Sequence, residues 1–374
     1  MSSRKDVARD LMARYKLYPR MTGIALSALS RRASVLSRPL RAQIETTTLC
    51  NLRCRMCPLR EMKRSRGSLA SEDFRRAYDA IRPGFLNLTG RGESLMNADI
   101  FEMVSHGKER CSFVKFDSNG TLFTGRTIGR IVDSGLDLVS VSLDSADPSV
   151  NEGIRVGCDH EAVVGGIGEL VRARNAAGST MKIHIGTVLQ EVNVAGFVEL
   201  VELGARLGVD RINPVPVEVY DLPGNRSFTP DGYRDELARS VYRYLESRDR
   251  LRVQVDVKPL LTFLRNPPGI PRRDRVCLVP WYSTYVSWEG NVFPCCYYYD
   301  GQVDLGNVFN TPFSVIWNGP RYREFRTRLR RDRDTLPICR TCTKEDRFPA
   351  LLPVSVHRNK CAKQGVTVDD EMSA

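Results

Sequence analysis

Between Ala42 and Val219 the chain alternates regularly. The strand-like runs AQIETTT, FLNLTG, FVKFDS, LVSVSLD, KIHIGTVL and RINPVPVEV are separated by stretches of helical period such as SEDFRRAYDAI, ADIFEMVSHGKE and HEAVVGGIGELVRARNAAG. Strands that take turns with helices build a parallel sheet through right-handed crossovers. Six such units predict an α/β fold, a partial (β/α)6 TIM-like barrel of about three-quarters of a full ring. The pattern stops at YDLPGNRSFTPDG, so the core barrel is set at residues 42–222. A helix, a short strand (RVQVDV) and a Pro/Arg-rich linker then complete the barrel over residues 223–275. A region of hairpin, aromatic and turn sequence follows at 276–350, and 351–374 is a tail expected to be poorly ordered.

Residues 1–41 form a basic arm, expected to be helical; ten Lys/Arg face two acidic residues over positions 1–42, within a chain of net charge +12. A basic amphipathic helix suits the surface of an anionic membrane or an acidic partner as well as packing on the barrel. A second basic run, RYREFRTRLRRDR, is expected to be a solvated helix face rather than a nucleic-acid surface. No run of eighteen apolar residues occurs. The twin-arginine-like SRRASVL lacks the apolar stretch that an export signal needs, so the expected location is cytoplasmic. Eleven cysteines in such a chain point to metal or cluster binding rather than disulfides.

Three of them, Cys50, Cys54 and Cys57, stand as C-x3-C-x2-C directly after the first strand, at the sheet edge where α/β active sites sit. Thiolates suit zinc or iron–sulfur clusters, yet structural zinc closes its shell with four ligands, and no fourth Cys or His lies near this array. Further landmarks follow in order: TGRGESLM after the second strand, DSNGTL after the third, SVSLDS after the fourth, then Arg155 in NEGIRVG. Together with the cysteine array, this set resembles the radical S-adenosylmethionine (SAM) superfamily. The resemblance implies a [4Fe–4S] cluster on the three cysteines with one iron open to SAM. It implies that Gly90, Gly92 and Glu93 meet the methionine amino group, with Arg91 departing from the usual G-G-E. Ser118 and Asn119 match the family's T-N-G turn, Ser142 and Asp144 would face ribose, and Arg155 the SAM carboxylate. The chemistry so implied is reductive cleavage of SAM to a 5′-deoxyadenosyl radical that removes a hydrogen atom from substrate, with electrons from a flavodoxin or ferredoxin.

A second group comprises Cys277, Cys295, Cys339 and Cys342, as C-x17-C and a later C-x2-C, with Gly290 completing G-x4-C at Cys295. By spacing alone this set holds a cluster or a zinc ion. LGNV (Leu305–Val308) and VIWNGPRYREFR (Val315–Arg326) resemble the SPASM/twitch extension of radical SAM enzymes, which implies an auxiliary [4Fe–4S] cluster. Phe348 stands where a second cluster's cysteine would fall, so the one-cluster twitch form is expected. The adjacent Cys296 is the competing ligand. The spacing is similar to aminocyclitol dehydrogenases, which implies a small sugar- or aminocyclitol-like substrate that is dehydrogenated or epimerised; peptide modification and lipid-pathway chemistry are the alternatives. Of the four spare cysteines, Cys111 is expected in the core and Cys361 in the tail. Cys158, after the fourth strand, is the candidate thiol for returning a hydrogen atom in an epimerase.

Overall fold

The computed structural model describes residues 20–27, 32–110, 112–217, 232–265, 277–340 and 342. Most of the basic arm, Cys111, the boundary loop, the Pro/Arg-rich linker, Cys361 and the tail therefore lie outside the described residues. The strand-like runs become β1 (Arg41–Ile44), β2 (Phe85–Asn87), β3 (Phe113–Ser118), β4 (Leu138–Ser142), β5 (Lys182–Leu189), β6 (Arg211–Pro216) and the short β7 (Gln254–Val255). They pair in parallel, each with its predecessor in the chain. After a helical turn at residues 20–27 (α1), the crossover helices are α2 (Ser71–Ile81), α3 (Ile100–Glu109), α4 (Gly125–Asp133), α5 (Pro148–Ile154), α6 (His160–Ala176) and α7 (Phe197–Leu207). α8 (Tyr233–Ser247) and α9 (Lys258–Arg265) follow. Side chains alternate between faces along each strand. Leu86, Val114, Val139, Val141, Ile183 and Ile185 lie buried, and Leu86 and Val114 close on Gly107 of α3. The opposite face carries Asn87, Lys115, Asp117, Ser140, Ser142, His184 and Asn213, so the inside of the curved sheet is polar.

One element joins the sheet from beyond the predicted barrel. α10 (Val279–Tyr282) leads into β8 (Ser283–Val286), which pairs parallel with β1 and antiparallel with β9 (Val292–Phe293). The expected hairpin is present, with Gly290 at φ +84° in its turn. Its first strand, however, is hydrogen-bonded to the barrel rather than standing apart. The free edge of β1 explains this, since a strand buried along its whole length, as β8 is, needs its backbone groups paired. The sheet thus has nine strands in the order β7-β6-β5-β4-β3-β2-β1-β8-β9 and does not close.

The basic run after α11 (Phe313–Trp317) forms α12 (Pro320–Arg331), and its expected solvated face is only part of the story. Arg326 is wholly buried. Its guanidinium donates to the carbonyls of Pro280 (2.9 Å), Ala33 (3.0 Å) and Trp317 (2.8 Å) and stacks on Trp317 and Tyr322. Burial pulls its pKa down to about 10. A residue that charge patterning assigns to solvent is here the pin that ties α12 to β8's entry and to the segment ahead of β1.

Candidate active site

The cysteine loop leaves β1 at the C-terminal edge of the sheet and is held from two sides. Arg53 N–H donates to the Val156 carbonyl and Arg55 N–H to that of Ile154, both at 2.9 Å, while Asn51 Nδ2 donates to Thr121 Oγ1 (2.7 Å). Cys50 Sγ accepts from Leu52 N–H at 3.5 Å and from Asn119 Nδ2 at 3.9 Å. Burial raises the pKa of Cys50, and that of Cys54 to about 11, and in both cases the neighbouring thiols of the loop raise it further. The three sulfurs therefore lie within one another's fields. An all-thiol donor set with N–H groups aimed at sulfur fits an iron–sulfur centre. Because buried thiols resist ionisation without a cation, the loop is built for a bound group rather than for free thiolates.

The β2 loop is laid directly on this one. Gly92 N–H donates to the Thr47 carbonyl and Glu93 N–H to that of Leu49. A Cβ on Gly92 would stand 2.3 Å from Leu49 O, and one on Gly90 would stand 2.6 Å from Thr47 O. Only glycine permits this approach. Glu93, 2% exposed, accepts from Leu95 N–H (3.1 Å), Ser118 Oγ (2.8 Å) and Asn119 N–H (2.6 Å). Desolvation outweighs these donors and raises its pKa. Gly120, at φ +78° with Val141 and Val163 against its α-carbon, makes the tight turn that brings Ser118 and Asn119 back onto Glu93.

A second buried network lies beyond β4. Asp144 is 1% exposed and accepts from Val188 N–H (2.8 Å) while pairing with Arg155 Nε at 2.8 Å. Burial pulls the Arg155 pKa down, but Asp144 and then Cys54 outweigh it and hold the guanidinium charged. Asp144 thus aims Arg155 toward the cysteine loop. Ser142 ends β4 on the polar inner face, half-buried. Cys158 belongs to the apolar core at 8% exposure, its sulfur accepting from Asn151 Nδ2 at 3.8 Å; burial raises its pKa.

The second cysteine group gathers beside β9. Cys295 is surrounded by the thiols of Cys296, Cys339 and Cys277, and burial followed by these neighbours lifts its pKa well above the usual value. Cys342 closes a turn on the Cys339 carbonyl. Arg333 donates to both carbonyls of that turn, Cys339 (2.7 Å) and Cys342 (2.6 Å), and Tyr298 OH lies 3.3 Å from Cys339 Sγ. The thiols of Cys277, Cys295 and Cys339, with Cys342 on the same turn as Cys339, form a soft donor set that fits iron–sulfur chemistry.

Sequence reasoning missed what joins the two groups. Glu45, wholly buried directly after β1, accepts from Tyr285 OH (2.7 Å) and pairs with Arg64 at 2.8 Å. Arg64 also reaches Glu289 (3.1 Å) and donates to the Tyr299 carbonyl. Asp300 accepts the N–H groups of Lys63 (2.8 Å) and Arg64 (3.0 Å). A carboxylate inside the first strand-like run, AQIETTT, just ahead of the cysteines, was the available signal.

Residues 44–212 match the family model of the radical SAM superfamily, and residues 277–343 match that of the SPASM iron–sulfur cluster-binding domain. The chain carries a radical SAM domain and a SPASM domain. Its cofactors are accordingly a [4Fe–4S] cluster, SAM and auxiliary iron–sulfur, and it needs a reductant. It is 26% identical over 312 residues to the AdoMet-dependent heme synthase of Nitratidesulfovibrio vulgaris, covering 76% of this chain and 80% of that protein. It is 27% identical over 287 residues to the PqqA peptide cyclase of Streptomyces rochei, covering 74% and 75%. Among solved structures, SuiB of Streptococcus suis bound to S-adenosylmethionine shares the fold at TM-score 0.65 and 17% identity, covering 85% of this chain and 75% of SuiB. Among the described residues no helix is long and apolar enough to cross a membrane.

Proposed function

We propose that this radical SAM protein modifies a peptide, with Cys50, Cys54 and Cys57 holding the SAM-binding cluster and Cys277, Cys295, Cys339 and Cys342 holding one auxiliary cluster. When bound, the first cluster with SAM supplies the radical that removes a hydrogen atom from substrate carbon. The chain's own part is to bind and orient. Gly90 and Gly92 let the β2 loop lie against the cysteine loop, Glu93 offers a carboxylate near Asn119 and Cys50, and Arg155 offers a fixed cation beside Cys54. The polar inner face, with Lys115 and Asp117 paired at 2.8 Å and His184 Nδ1 3.1 Å from Asn213 Nδ2, holds the substrate by hydrogen bonds. The reductant is a flavodoxin or ferredoxin.

The observation that carries the peptide reading is the likeness to a peptide cyclase that runs through about three-quarters of both chains. The similarity to the heme synthase favours a second reading, a large carboxylated small molecule held by the same polar face. The dehydrogenation or epimerisation of a sugar or aminocyclitol expected from cysteine spacing has no such support. Cys158, the candidate donor for that chemistry, lies in the apolar core at 8% exposure.

Deuterium transfer tests this. The anaerobically reconstituted protein is incubated with SAM, reductant and size-fractionated extract of cells grown in deuterated medium, and 5′-deoxyadenosine is collected. Deuterium arriving from the peptide fraction, and lost after protease treatment, is the expected result. Transfer from the protease-resistant small-molecule fraction alone would overturn the peptide reading.

A further inference from the structure

Arg91 stands where the family's G-G-E motif has glycine, and the site as described makes no use of it. Its position is specific. The backbone on either side, Gly90 and Gly92, is pressed against the cysteine loop, and Arg91 N–H points at Glu45 Oε1 (3.3 Å). The side chain leaves in the other direction. Its Nη2 donates to the Cys296 carbonyl at 2.9 Å, and its guanidinium carbon lies 3.8 Å from the centre of the Tyr299 ring. That ring is 2% exposed. Tyr299 in turn lies within the electrostatic reach of Cys57, Glu61 and Asp300. Its neighbour Tyr298 turns the opposite way, onto Cys339. The five residues from Cys296 to Asp300 therefore touch both cysteine groups, and Arg91 is the side chain from the SAM-binding half that grips them.

A half-buried cation over a buried tyrosine face, also bonded to a carbonyl, is held firmly. Its charge sits beside the peptide that follows Cys295. A cluster on four thiolates is already anionic and gains a further negative charge on reduction, so a fixed nearby cation favours the reduced form. Arg333 does the same from the far side, through the Cys339 and Cys342 carbonyls.

We propose that Arg91 is a positioning residue joining the two centres. It docks the auxiliary cysteine turn on the SAM-binding loop and lends the auxiliary centre a charge that makes it a better electron acceptor. This rests on Cys277, Cys295, Cys339 and Cys342 being iron ligands. The test uses the full chain carrying Cys50→Ala, Cys54→Ala and Cys57→Ala, so that only the auxiliary centre is loaded. Iron content is measured, and the midpoint potential is followed by electron paramagnetic resonance, with Arg91 intact, Arg91→Met and Arg91→Lys. The expected result is about four irons in each protein, a lower potential in Arg91→Met, and recovery of most of that shift in Arg91→Lys. An unchanged potential in iron-loaded Arg91→Met, or a Lys variant as low as the Met variant, would overturn the proposal. If Arg91→Met loses its iron, Tyr299→Leu, which frees the guanidinium without removing it, must lower the potential instead; no shift there overturns it too. Zinc or no metal in the parent triple variant would instead defeat the ligand assignment itself.

Discussion

Replacing Arg64 by Met cuts the ion pair that joins β1, the cysteine loop and the SPASM domain. Both members are out of water, with side-chain exposures of 7% for Arg64 and 0% for Glu45. Removing one partner of such a pair strands a buried charge, which costs about 3–5 kcal/mol. The lower end applies, because Glu45 keeps Tyr285 OH and the N–H groups of Trp288 and Arg91 as donors. An unfolding entropy of about 2.1 cal/mol/K per residue over this chain gives roughly 0.8 kcal/mol/K, so the melting temperature should fall by ~4 °C. Scanning calorimetry of the reconstituted protein measures it. Adding Glu45→Gln removes the stranded charge, so the double variant should melt above Arg64→Met. A fall of less than about 1 °C in Arg64→Met, or losses that simply add in the double variant, would refute a buried latch between the domains.

Other perturbations test other parts of the site. Gly92→Ala forces a methyl against the Leu49 backbone, an overpacking worth about 1–3 kcal/mol; it should cut iron at the Cys50 group while leaving the auxiliary iron, as iron assay and absorption spectra would show. Burial, then the nearby Arg211, lowers the His184 pKa from 6.5 to about 4, so the folded chain holds this ring neutral. The unfolded chain takes up the proton first, and stability is lost as pH falls from about 6.5 towards 4. Between pH 7 and pH 5 this amounts to roughly 2 kcal/mol. Urea midpoints should therefore drop more steeply in the parent than in His184→Gln, and parallel profiles would contradict the buried neutral ring.

Much of the core was legible because its signals are local. The β3 run FVKFDS alternates as its burial does, and the predicted SEDFRRAYDAI stretch is α2 residue for residue. The thiols of the C-x3-C-x2-C array lie within one another's fields, since a few residues of loop cannot separate them far. What was not legible depends on contacts across hundreds of positions. β8 joins β1 because both need a partner along an edge, a fact no single run of sequence carries. Arg326 and Arg91 read as surface charge and as a motif irregularity, yet each is fixed by carbonyls far away in the chain. Charge patterning treats every arginine alike, and only the fold says which ones lose their water.

The central claim is that the three thiols of one loop, Cys50, Cys54 and Cys57, carry the SAM chemistry while the SPASM cysteines hold iron independently. Anaerobic reconstitution followed by iron analysis and assay of 5′-deoxyadenosine release tests it directly. The parent chain should bind about eight irons and cleave SAM under reductant, and the Cys50→Ala, Cys54→Ala, Cys57→Ala chain should keep about four irons and release none. Cleavage of SAM persisting in the triple variant, or loss of all iron from it, would contradict the account.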